Sequence, residues 1–183
     1  MGNNNKDFEE LKARMKQLMA GHDTLAEAIG ISLEDILALS IVARQLAEQG
    51  QLDDAQTLME GLVALDPQNP FLHTGLGCVY MQKNLNDAAL SSFQVALGYN
   101  PQDVAAHTFA GEICLEKGWI EPAIDYFQKA VALDPEGKDP YANRARTSAL
   151  LVSTIAKEVQ EKGPGVLQEI ISEAKKAQAA PPA

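Results

Sequence analysis

Three prolines set the frame of this chain. Pro67, Pro101 and Pro135 stand 34 residues apart, and each closes a similar ending: "LMEGLVALDPQNP", "SFQVALGYNPQDV" and "YFQKAVALDPEGKDP". The agreement continues upstream in the same register. Twelve residues before each proline stands Ala55, Ala89 or Ala123, and eight before it Met59, Phe93 or Phe127. Small pairs recur at Val42-Ala43, Leu76-Gly77 and Ala110-Gly111, and the breakers Gly50, Asn84 and Gly118 divide each unit in two. A period of this length marks a supersecondary unit that cannot bury its apolar face alone, so the copies must stack.

Each unit reads as helix, tight turn, helix. First halves place apolar residues at helical spacing, as in Leu39, Val42, Ala43 and Leu46, and second halves step by three and four, as in Ala123, Phe127, Ala130 and Val131. The small positions allow close helix approach and the large ones fill the space beside them. Proline then ends the helix, because it pushes the preceding residue out of the α region.

The flanks are helical too. "KDFEELKARMKQLMAG" carries Phe8, Leu11, Met15 and Leu18 on one side, Asp23 or Thr24 can cap a short helix, and Ser32 with Asp35 has the form of a capping box. After the third unit, Pro140 opens an amphipathic run to Glu161, which "GPG" at 163–165 breaks before a shorter run from Val166 to Ala177 and the tail "AQAAPPA". The reading is an all-α solenoid with four parts. Residues 1–35 form an N-terminal helical segment, 36–137 the repeats, 138–162 a capping helix, and 163–183 a short helix and flexible tail.

Charge and chemistry exclude more than they suggest. A formal charge of −10 and a pI of 4.7 disfavour nucleic acid, which needs clustered Lys and Arg. Cys78 and Cys114, the only cysteines, form no CxxC pair or disulfide framework. No apolar run reaches the ~18–20 residues that span a bilayer, so direct membrane insertion is not expected. The N-terminus lacks a signal-peptide core, and Lys6 stands where a myristoylation signal has Ser or Thr. The expected location is cytoplasmic. His22 falls in a loop, while His73 and His107 share one repeat position that packs between helices. His107 and Cys114 lie seven residues apart on one helix face, roughly 10 Å, too far to share an ion. Asp53, Asp54 and Asp87 read as solvated N-caps in the turns. With no HExxH, Walker A or GxSxG pattern, the sequence predicts no catalytic residues, no metal, no cofactor and no enzyme.

With period 34, a small residue at the eighth position, Ala at the twentieth, an aromatic at the twenty-fourth and Pro at the thirty-second, the units resemble tetratricopeptide repeats at 36–69, 70–103 and 104–137. Met59 and Leu62 depart mildly in the first. The resemblance implies a concave groove lined by the first helices. Its inward positions fall on Leu37, Ser40, Arg44 and Ala47; on Phe71, Thr74, Cys78 and Met81; and on Ala105, Thr108, Glu112 and Leu115. Repeats that clamp the Glu-Glu-Val-Asp terminus of heat-shock chaperones carry Lys, Asn, Lys and Arg where this chain has Ser40, Arg44, Ala105 and Phe109, so that partner is disfavoured.

The wider architecture is similar to that of the class II chaperones of bacterial type III secretion. The match rests on an N-terminal helical segment, Gly21, Thr24 and Leu25 ahead of three repeats, and "FLHTGLG" with Phe71, Gly75, Leu76 and Gly77 opening the second. It implies that the groove holds an extended apolar segment of a secreted translocator and keeps that client soluble. It also implies a homodimer through Phe8, Leu11, Met15 and Leu18; the stripe alone leaves open whether it pairs with a second copy or folds onto the first repeat. The alternative reading is a tetratricopeptide adaptor or scaffold in a multi-protein assembly.

Overall fold

The computed structural model describes residues 12–13 and 24–163, the side chain of Val159 apart. The stripe from Phe8 to Leu18, His22 and the run from Val166 to Ala177 lie outside the described residues. Among the described residues the regular structure is helical: α1 (Leu25–Ile29), α2 (Leu33–Glu48), α3 (Leu52–Leu65), α4 (Pro70–Gln82), α5 (Asn86–Tyr99), α6 (Val104–Glu116), α7 (Ile120–Leu133) and α8 (Pro140–Lys162).

Local chemistry fixes the ends of these helices. Thr24 and Ser32 each build a reciprocal capping box, with Glu27 and Asp35, at the starts of α1 and α2. Asn69 and Asp103 cap α4 and α6 through their side chains, and Asp139 accepts from the Tyr141 and Ala142 amides at the head of α8. Between the helices of each pair the chain turns through a left-handed residue, Gly50 at φ +80°, Asn84 at +58° and Gly118 at +74°. Glycine and asparagine tolerate that region at least steric cost.

The repeated positions interlock within each pair. Ala55, Ala89 and Ala123 have no exposed surface, and neither do Phe93 and Phe127. A Cβ built on Gly77 would stand 2.5 Å from the Phe93 ring, and one on Gly111 would stand 2.6 Å from that of Phe127. Each glycine therefore marks where an aromatic ring rests on the helix backbone. Burying such a ring contributes about 2–3 kcal/mol. Two core clusters result, one over the first repeat and α4, the other from α5 to α8. Tyr80 packs against both and makes them continuous.

Successive pairs are tied by bonds that recur with the period. His73 Nε2 lies 2.7 Å from the Pro67 carbonyl, and His107 Nε2 lies 3.0 Å from that of Pro101. Since a carbonyl only accepts, the ring nitrogen donates, which accounts for histidine at this position. Asp53 and Asp87 are not the N-caps expected from sequence. They sit in the first turns of α3 and α5, whose caps Gln51 and Leu85 make no side-chain bond, and they pair with Lys83 at 2.5 Å and Lys117 at 2.6 Å from the next repeat.

The third connection breaks the period. Four residues separate α3 from α4 and α5 from α6, whereas six, 134–139, separate α7 from α8. Arg146 braces this longer loop through the Asp134 carbonyl and, at 3.5 Å, its carboxylate. The extra two residues shift α8 in register while leaving it stacked on α6 and α7 as the next first helix.

Candidate functional site

The first helices curve around a hollow of about 300 Å³. Ser40, Ile41, Arg44 and Ala47 come to it from α2, Phe71, Thr74, Gly75, Cys78, Val79 and Gln82 from α4, Ala105 and Phe109 from α6, and Tyr141 from α8; Met59 and Asp103 complete the wall. Three rings form its aromatic side. Phe109 stacks on the buried Phe93 at 5.6 Å and meets Tyr141 edge-on at 5.4 Å, an arrangement that suits the ring quadrupoles. Phe71 projects with 55% of its surface exposed.

Several polar groups of the wall are already engaged within the protein. Thr74 Oγ1 donates to Asp103 at 2.7 Å, while the other oxygen of that carboxylate accepts from the Ala106 amide at 2.9 Å. Ser40 Oγ donates to the Leu37 carbonyl at 2.7 Å, and Arg44 pairs with Glu48 at 3.1 Å. Burial, reinforced by the nearby Asp103 charge, pushes the Cys78 thiol up to about 12, so it remains protonated and behaves as a small apolar surface. Burial also raises the Cys114 thiol. The site is thus a mostly apolar trough, and among the described residues none of its buried side-chain polar atoms lacks a partner.

Of the inward positions predicted from sequence, Ser40, Arg44, Ala47, Phe71, Thr74, Cys78 and Ala105 meet in this hollow, and Leu37, Met81, Thr108, Glu112 and Leu115 do not. The cause lies mainly in α8. Thr108 is fully buried, its hydroxyl donating to the Val104 carbonyl at 2.9 Å and the Tyr141 carbonyl at 3.1 Å. Glu112 is closed off by Arg144, which binds both carboxylate oxygens and lays its guanidinium over the Phe109 ring at 5.6 Å. Burial pushes the Glu112 carboxyl up, and Arg144 offsets part of that. Met81 and Leu115 are half-buried against the core, and Leu37 lies exposed outside the hollow.

Tyr141, like Phe109, is a wall residue that the predicted inward positions missed. Strict counting by 34 places Asp139, not Tyr141, beside Ala105, because the count omits the two added loop residues. The dipeptide Pro140-Tyr141, echoing Pro70-Phe71, is the signal that could have found it.

Furrows of about 620, 530 and 520 Å³ also run along the second helices α5 and α7, between α7 and α8, and beside α3. They recur with the packing and each draws on one or two neighbouring units. The concave hollow, though smaller, gathers residues from all three repeats and α8, so it is the candidate site.

Residues 74–138 match the family model described as tetratricopeptide repeat. The fold is a tetratricopeptide-repeat solenoid. No match is found among curated protein sequences. Solved structures of similar fold include the type III secretion translocator chaperone SycD of Yersinia enterocolitica, at TM-score 0.64 and 21% identity over 70% of this chain and 98% of that one. PcrH bound to the chaperone binding region of PopD is similar at TM-score 0.64 and 24% identity, over 69% of this chain and 97% of that one; PcrH is from Pseudomonas aeruginosa. The first tetratricopeptide domain of Spaghetti, bound to an HSP90 peptide, is similar at TM-score 0.61 and 20% identity, over 69% and 96%.

Proposed function

We propose that this protein is a peptide-binding chaperone whose concave hollow holds an extended, apolar segment of a client protein, and that the client is a translocator of the type III secretion class. The observation that carries the reading is the trough itself. Phe71, Phe109 and Tyr141 face it beside Ala47, Cys78 and Ala105, and the Ser40 and Thr74 hydroxyls and the Asp103 carboxylate are bonded within the protein. Such a surface rewards apolar side chains and offers little to a charged tail. Two or three apolar knobs, each contributing about 1.5–3 kcal/mol before the cost of ordering the chain, give an affinity of about micromolar order. That suits a carrier that must release its cargo. Similarity to PcrH, solved with the chaperone binding region of PopD, supports the choice of client.

The competing reading is an adaptor that captures a charged C-terminal tail, favoured by the likeness to the Spaghetti domain with its HSP90 peptide. The residues argue against it, since Ser40 is buried, Ala105 carries no charge and Phe109 is packed between Phe93 and Tyr141. Coexpression with a translocator decides the matter: the chaperone reading expects the client to move from the insoluble to the soluble fraction. A client that stays equally insoluble with and without this protein rules it out.

A further inference from the structure

Arg144 is not among the residues that line the hollow, yet it holds one of the rings that do. Its Nε and Nη2 donate to the two carboxylate oxygens of Glu112, the second bond at 2.7 Å, and its guanidinium lies over the Phe109 ring at 5.6 Å. Phe93 stacks on the same ring at 5.6 Å, and Tyr141 meets it edge-on at 5.4 Å. Three groups thus fix Phe109. The forked bond to Glu112 sets the plane of the guanidinium, because two parallel bonds to one carboxylate allow a single orientation.

Stability is a poor reason for this pair. The Glu112 side chain keeps only 14% of its surface exposed. Burial raises its carboxyl although Arg144 pulls the other way. Desolvating the carboxylate therefore costs more than the arginine returns, and an uncharged residue of the same shape would serve the fold as well. What the charged fork adds is geometry. We propose that Arg144 and Glu112 are positioning residues for client binding, which together hold the Phe109 ring in place in the wall of the hollow. The proposal rests on the chaperone reading of that hollow. A ring already fixed loses no rotamer freedom when a client side chain packs on it, and for one large side chain that freedom is worth about 3–10-fold in affinity.

The probe is an array of overlapping short peptides that spans the coexpressed translocator, and the tightest binder is measured by isothermal titration against the full-length chain. Glu112→Gln keeps the shape of the residue and loses the charged fork. Arg144→Lys keeps the charge and loses both the fork and the flat stacking surface. Each should weaken peptide binding about 3–10-fold. At neutral pH Arg144→Lys should melt within roughly 2 °C of the unaltered chain, and Glu112→Gln no lower than it. In a Phe109→Leu background neither change should alter affinity further, because the ring they hold is gone. Affinity that is unchanged, that falls only in step with melting, or that still responds in Phe109→Leu overturns the proposal. Phe71→Ala tests the hollow itself. If it weakens the peptide while Glu112→Gln and Arg144→Lys do not, the hollow binds the client and the positioning role is wrong. If no peptide binds, or Phe71→Ala binds as tightly as the unaltered chain, the chaperone reading falls and the positioning role falls with it.

Discussion

Replacing a helical glycine by alanine ordinarily stabilises a protein by about 0.5–1 kcal/mol, by limiting the unfolded chain and favouring the helix. Here the sign should depend on which glycine is chosen. At Gly61, in α3, an added Cβ meets nothing within 4 Å, so Gly61→Ala should raise the melting temperature by roughly 1–4 °C. At Gly111, in α6, the same methyl would stand 2.6 and 2.7 Å from two atoms of the Phe127 ring and 3.1 Å from a third. Ordinary contact needs about 3.5–4 Å, so the ring must retreat by nearly 1 Å. It has nowhere to go, because Phe127 is fully buried with Ala123 and Ala130 in the same cluster. Overpacking of this kind costs about 1–3 kcal/mol, which exceeds the helix gain and leaves a net loss of about 1 kcal/mol. Gly111→Ala should therefore melt roughly 2–4 °C below the unaltered chain. Both variants are compared by thermal unfolding followed by circular dichroism, with helix content checked at low temperature. If Gly111→Ala is stabilised like Gly61→Ala, close helix approach is not what the repeated small position serves.

Phe71→Ala should leave melting almost unchanged, since over half the ring is already exposed, yet weaken client binding about 30-fold by isothermal titration. That figure follows from about 110 Å² of exposed ring at ~25 cal/mol/Å², less what alanine retains. Thr108→Val should lower stability by about 1 kcal/mol in urea unfolding, because the Tyr141 and Val104 carbonyls lose a shared donor. Lys117→Ala should change stability by less than about 1 kcal/mol in the same assay, since Asp87 is nearly fully exposed and the pair is screened. Glu112→Gln should alter the pH dependence of melting. The raised carboxyl means the folded state takes up a proton before the unfolded state does. Its contribution to stability is therefore present below the ordinary value of 4.5 and is lost as pH rises through the folded value. Profiles of the unaltered chain and Glu112→Gln should diverge in that window, and parallel profiles would refute the buried-carboxylate account.

The repeat frame made most of the architecture legible without coordinates. Helix-breaking prolines, left-handed turn residues and alternating small and large positions act within one unit, and their effects show wherever the period brings them back. Most of the half of the groove made by α2 and α4 was legible for the same reason, since Ser40, Arg44, Ala47, Phe71, Thr74 and Cys78 hold their place in the frame, whereas Leu37 and Met81 do not reach the hollow. The pairing of Asp53 and Asp87 with the next repeat was not, because it depends on how far each hairpin rotates over its neighbour.

Sequence alone determined that this chain stacks helical hairpins of 34 residues around small-on-large contacts, because those rules are local and are stated three times. Only the tertiary structure decided where the hollow ends. Two added loop residues reset the register of α8, bringing Tyr141 into the wall, sealing Thr108 beneath it and giving Glu112 to Arg144. A helix packed across the end of an array answers to the surface it meets, and no periodicity within the chain encodes that meeting.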